Sequence, residues 1–214
     1  MHRPLLFEGL PGSGKTTCSR DVAHYLESHG RPSRWALEEA RDHPWFGAAS
    51  RASHREPGFV ERAVDAWHDV VADLDTASWA LDGVAWQSTV RFLFEQDAPT
   101  AEIERYWRLF EAVVTPYRPV LVHLRHPDAR SFIRDHTIEV RSDVWDKIAT
   151  HVRSTPVGQH LVEEADEPHV EFWVRYHALC DHLAALTTIP VVGIDLAAGW
   201  PDGPGHIVDL IDRV

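Results

Sequence analysis

Residues 5–26 read LLFEGLPGSGKTTCSRDVAHYL. A short apolar run gives way to a turn rich in glycine and small side chains, and the turn to an amphipathic helix. Gly9, Gly14, Lys15 and Thr16 fit the phosphate-loop pattern G-x-x-x-x-G-K-[ST], in the strand–turn–helix context that gives the pattern its meaning. Glycines let the backbone curl so that successive N–H groups converge on phosphate oxygens, and the following helix adds its positive N-terminal end. The spacing nominates Gly9, Pro11, Gly12, Ser13, Gly14, Lys15, Thr16 and Thr17 as nucleotide-binding residues. Lys15 reaches for the β- and γ-phosphates and Thr16 for Mg2+, so ATP and Mg2+ are the expected cofactors.

Glu8 sharpens the question of what is done with the phosphate. A strand covered on both faces favours an apolar residue there. Glu8 is therefore either a hydrogen-bonded structural residue or a carboxylate beside the γ-phosphate. In the second case it orients or deprotonates an acceptor hydroxyl, and that is the expectation carried forward.

The remaining 5–26 context is set by the whole chain. With 214 residues, 44% hydrophobic and 25% charged, it suits one α/β domain over 1–214. A net charge of −12 argues against nucleic acid, whose binding depends on Lys and Arg neutralising phosphates. No apolar run approaches the roughly 20 residues of a membrane span, and the first strand begins too early to leave room for a signal peptide. The expectation is a cytoplasmic protein with Cys18 and Cys180 as reduced thiols and no membrane or nucleic-acid partner; a homodimer stays open. Lys15 and Lys147 are the only lysines, against 19 arginines, which makes a lysine inside the glycine-rich turn less of an accident.

Strands are predicted at 3–8, 33–38, 77–81, 119–124 and 189–196. Helices are predicted at 14–29, 59–74, 85–96, 100–114, 143–153, 164–187 and 204–213. Strands alternating with helices imply a five-stranded parallel sheet flanked by helices, a three-layer α/β fold of the P-loop NTPase type. Segments 39–58 and 125–141 stand out as functional loops, and the Arg-rich region from about 125 to 155 reads as a lid.

The stretch LLFEGLPGSGKTT resembles the opening of the thymidylate kinase and deoxynucleoside kinase superfamily of P-loop kinases. RWALEEARDHPW (34–45), WALDGVAWQSTV (79–90), VLVHLRHPDARSFIRD (120–135) and PVVGIDLAAG (190–199) are similar, in the right order, to that group's second strand, third strand, lid entry and last strand. The closest overall resemblance is to thymidylate-kinase-like P-loop proteins of actinobacteria. There are departures. The resemblance calls for an arginine after the acid that ends the third strand, and Asp82 is followed by Gly83. It also calls for an arginine at the second strand, where Leu37, Glu38, Glu39 and Ala40 stand.

Asp82, ending a strand beside the phosphate turn, is read with Thr16 as a Mg2+ residue and as catalytic. Glu8, Glu38, Asp82, Trp86, Gln87 and Arg91 are the candidate acceptor residues. In the lid, Arg125, Arg130, Arg134 and Arg141 are candidates, with Arg130 and Arg134 taken as catalytic and Arg130 also as nucleotide-binding, because the guanidinium fork clamps phosphate oxygens. Lys15 and Glu8 complete the catalytic set. The expected function is transfer of the γ-phosphate of Mg·ATP to a hydroxyl of a small molecule: a nucleoside, a sugar-like or an antibiotic-like acceptor. A P-loop NTPase switch, a nucleotide-binding regulatory protein and a nucleoside monophosphate kinase are the alternatives. The acids Glu38, Glu39, Asp42 and Asp82 point to an uncharged or cationic acceptor.

Overall fold

The structure is a computed structural model that describes residues 2–37, 56–72 and 77–214. From the amino end, β1 (Pro4–Gly9) passes through the glycine turn into α1 (Lys15–Ser28), followed by β2 (Ser33–Ala36), α2 (Phe59–Ala72) and β3 (Ser78–Asp82). A π-helical turn, Ala85–Val90, runs on into α3 (Arg91–Glu95), and α4 (Thr100–Val114) leads to β4 (Val120–Arg125). The region read from sequence as a lid follows as α5 (Ala129–Phe132), a second π-helical turn (Ile133–Thr137), α6 (Ile138–Val140) and α7 (Trp145–Ser154). The chain closes with α8 (Pro156–Glu164), α9 (Pro168–Leu186), β5 (Val191–Asp195) and α10 (Pro204–Ile211).

The five strands are parallel in the order β2-β3-β1-β4-β5, so the apolar run that opens the sequence is the centre of the sheet. The chain leaves β1 toward β2 on one side and leaves β4 toward β5 on the other. The carboxyl end of β1 is thus at the switch in direction where open α/β sheets bind ligands.

Side chains of β1 alternate between two layers. Leu5 and Phe7 pack with Val22 and Leu26 of α1 and Ile207 and Ile211 of α10. Leu6 faces the thicker layer, where Trp67 of α2, Trp107 and Phe110 of α4, and Phe172 and Tyr176 of α9 are buried. Glu8 shares that second face by the same alternation, and its register partner on β4 is His123.

Two predictions of local structure are corrected. The sequence predicts nothing helical at 154–163, yet α8 fills most of it: Thr155 Oγ1 accepts the Gly158 N–H at 3.0 Å, and Pro156 occupies the first turn, where its missing N–H costs nothing. The Arg-rich stretch 125–141, read as a loop, is largely helical, opened by Asp128, whose Oδ1 accepts the Ser131 N–H at 3.0 Å. Among the described residues no helix is long and apolar enough to cross a membrane.

Candidate nucleotide and acceptor site

The glycine turn is built as the pattern requires. Gly12 (φ 80°) and Gly14 (φ 76°) are left-handed, a conformation that costs other residues steric energy. A Cβ on Gly14 would also collide with the indole of Trp200, which the loop after β5 lays against the turn. At Gly9 a Cβ would come within 2.6 Å of both Leu124 O and Ser13 Oγ. Ser13 N–H donates to Leu10 O at 3.0 Å, closing the turn.

Lys15 is 4% exposed and, among the described residues, has no carboxylate within ion-pair distance. A buried ammonium with no counter-charge is unfavourable. Its surroundings therefore suit an anion supplied from outside the chain, and the turn's cradle fits the phosphates of a nucleotide.

Beside the turn lies a cleft of about 410 Å³. Pro11, Lys15, Thr16, Asp82, Gln87 and Arg91 line one side of it, and Arg141, Val144, Lys147, Ile148 and His151 the other, with Leu37, Glu95 and Trp173 completing the wall. Thr16 and Asp82, nominated for Mg2+, share this cleft. Gln87 holds the cleft to the turn, its Nε2 donating to Gly9 O at 2.7 Å. A larger cavity, about 600 Å³, lies at the amino ends of the strands, where Arg3 and Arg31 close on Asp212. It contains none of the phosphate-turn residues.

Several nominated residues fall elsewhere. Glu8 is fully buried and does not line the cleft. Its Oε1 accepts the N–H groups of Ala85 at 2.7 Å and Trp86 at 2.9 Å, at the start of the π-helical turn. A carboxylate there satisfies donors that open a helix and complements the dipole. Glu8 therefore positions the segment that carries Gln87 and Arg91, a role beside the base or acceptor contact expected of it. Trp86, also expected at the acceptor, is buried against Trp107 and His123 and does not line the cleft. Thr17 is exposed on α1, outside the cleft. Glu38 lies outside the described residues, as do Glu39 and Asp42.

The lid arginines divide. Arg130 is ion-paired with Glu171 and Arg134 with Glu167, both on or beside the start of α9, and neither arginine lines the cleft. Arg125 pairs with Asp181 at 3.7 Å. The cleft instead holds Arg91, Arg141 and Lys147, and neither Arg141 nor Lys147 has an ion-pair partner among the described residues. The lid touches the turn by another route: Thr137 Oγ1 donates to Pro11 O at 3.0 Å, and a ring nitrogen of His136 lies 3.2 Å from Gly12 O. The π-helical turn at Ile133–Thr137 carries both residues, and such turns recur at functional sites.

Sequence reasoning missed Glu95, Lys147, His151 and Trp173. A signal for part of the set exists: positions 141, 144, 147/148 and 151 repeat at helical spacing and present one face. Glu95 and Trp173 carry no such signal, since their place depends on how α3 and α9 meet.

Five parallel strands between two helical layers, with the glycine turn leaving the central strand, give the chain the P-loop NTPase fold. No protein-family model and no curated protein matches it. Among solved structures it is similar to Kti12 of Chaetomium thermophilum in complex with ADP-AlF3, at 15% identity and a TM-score of 0.48, over 98% of this chain and 96% of that one.

Proposed function

We propose that the protein is an ATP-dependent phosphotransferase that moves the γ-phosphate of Mg·ATP to a hydroxyl of a small molecule. The observation that carries the reading is Lys15: buried, without a carboxylate beside it among the described residues, at the mouth of a glycine cradle that opens into a cleft. The turn's N–H groups and Lys15 would hold the β- and γ-phosphates, and Thr16 would hold Mg2+ with Asp82 supporting it. Bound Mg2+ supplies charge neutralisation on the transferring group.

The acceptor occupies the rest of the cleft. Its hydroxyl oxygen forms a bond to phosphorus as the bond to the ADP oxygen breaks, and the hydroxyl proton passes to solvent water in the cleft. Little covalent chemistry falls to the protein; its work is positioning and charge stabilisation. Gln87 fixes the acceptor wall to the turn, Glu8 fixes the start of that wall, and Arg141 stands opposite to meet charge on the transferred group. A cleft of about 410 Å³ favours a small acceptor over a macromolecular one. The test is isothermal titration with Mg·ATP followed by an acceptor screen read as ADP formation. Binding that Lys15→Ala abolishes, with ADP formed only when a hydroxyl compound is present, supports the reading. ADP formation at the same rate with no acceptor would turn it into an NTPase.

A further inference from the structure

We propose that the acceptor carries an anionic group, a phosphate or a carboxylate, and that Lys147 and Arg91 receive it at the end of the cleft away from the phosphate turn, braced by Glu95 and His151. The proposal rests on the phosphotransferase reading and deepens it.

The cleft has a direction. Gln87 is bonded to the turn itself. Arg91 follows one helical turn later and Glu95 one turn beyond that, each step on the order of 6 Å. On the facing helix α7, His151 lies one turn beyond Lys147. The two walls meet at the far end, where His151 Nε2 is 3.1 Å from Glu95 Oε1. Arg91 Nε lies 3.4 Å from the same oxygen. Glu95 is buried, so its charge is committed to these two partners.

One carboxylate at this end does not balance the cations around it. Arg91, Arg141 and Lys147 line the cleft, and neither Arg141 nor Lys147 has an ion-pair partner among the described residues. Trp173, also lining it, keeps its indole N–H buried without an acceptor. Among the described residues, donors and positive charge are therefore in excess where the body of an acceptor would lie. In a chain of net charge −12, both lysines, Lys15 and Lys147, are spent on this one cleft. A positively charged cleft with low-dielectric walls concentrates anions and repels cations. The guanidinium fork of Arg91 suits a planar carboxylate or a phosphate. This proposal departs from the expectation of an uncharged or cationic acceptor, which drew on Asp82 and on Glu38, Glu39 and Asp42, the last three outside the described residues.

Two measurements test this, and the first does not need turnover. With the nucleotide site saturated by a non-hydrolysable Mg·ATP analogue, inorganic phosphate is titrated while the thermal midpoint is followed. Wild type is expected to be stabilised at millimolar phosphate, and Lys147→Met, an exchange at an exposed lid position, to need at least fivefold more. No phosphate effect in wild type, or an equal effect in Lys147→Met, overturns the proposal. Failure of the analogue to bind at all would be seen first and would count against the phosphotransferase reading; the same titration on the free protein then decides this one. The second measurement compares matched acceptors: thymidine with its 5′-monophosphate, glucose with glucose 6-phosphate, and glycerol with glycerate. The anionic member of at least one pair should be preferred tenfold or more in kcat/KM, with the phosphate and carboxylate pairs identifying the group. Lys147→Met should raise KM for that member and narrow its preference over the neutral one at least fivefold. Preference for the neutral members, or for an aminated sugar, overturns it.

Discussion

Arg130 and Arg141 stand eleven positions apart in the same lid segment, yet the fold uses them in opposite ways. Arg130, like Arg134, is answered inside the protein, by glutamates at the start of α9. Arg141 and Lys147 are left facing a cleft with no carboxylate of their own among the described residues. The acids Glu8 and Asp82 are both buried; Glu8 accepts the N–H groups of Ala85 and Trp86, and Asp82 lines the cleft. A cation whose partner is built in serves the architecture; a cation with no ion-pair partner among the described residues, such as Arg141 or Lys147, is available to a ligand.

The largest effect that sharpens this contrast is at Lys15. Lys15→Ala removes the cation of the phosphate turn and is expected to lower turnover by about 10³-fold or more while the circular dichroism spectrum and unfolding midpoint hold. Turnover within tenfold of wild type in the folded variant would break the contrast at its strongest point.

Within the lid, Arg141→Ala should cost on the order of 10–100-fold in kcat/KM. Arg130→Ala and Arg134→Ala should each stay within about threefold, as expected for exposed ion pairs. Steady-state kinetics on the three variants reads this directly, and a ranking with Arg130 or Arg134 first would show that the lid rearranges when it closes.

Glu8 is expected to show itself in stability before activity. Glu8→Ala leaves two buried N–H groups without an acceptor and should lower unfolding stability by about 2–4 kcal/mol. Glu8→Gln keeps an acceptor oxygen and should retain transfer within about tenfold. Urea unfolding beside kinetics separates the roles: a loss of 10² or more in transfer by a fully stable Glu8→Gln would restore the carboxylate to the chemistry.

The smallest effect concerns His123, the register neighbour of Glu8. Burial holds its imidazole neutral and pushes its pKa down from 6.5 to about 3, with nearby His177 and Arg125 adding to the shift. The unfolded chain takes up a proton below its ordinary value, so this contribution is complete above pH 6.5 and is lost as pH falls toward 3. Between pH 7 and pH 5 it amounts to about 2 kcal/mol. Stability measured at both pH values in wild type and His123→Gln should show a smaller acid loss in the variant; identical losses would remove His123 from the account.

The phosphate turn was legible because its chemistry is local. Gly9, Gly12, Gly14, Lys15 and Thr16 are neighbours in sequence, and the strand before them and the helix after them announce themselves by hydrophobic pattern. The five strands were legible for the same reason. What was hidden depends on distant partners. Nothing near Glu8 in sequence reveals the N–H groups 77 and 78 positions away, and nothing near Arg130 or Arg134 reveals glutamates 41 and 33 positions further on. Asp128, the acid nearest Arg130 in sequence, caps α5 instead. Helix α8 is a different case, since Thr155 and Pro156 together form a start signal that the sequence does display.

The most direct test of the central claim follows the label of γ-³²P-ATP in the presence of Mg2+ and a panel of anionic and neutral hydroxyl compounds. The account predicts that label leaves ATP only when an acceptor is present and appears in an organic phosphate, and that Lys15→Ala stops the transfer. Label released solely as inorganic phosphate, at a rate that no acceptor changes, would contradict it.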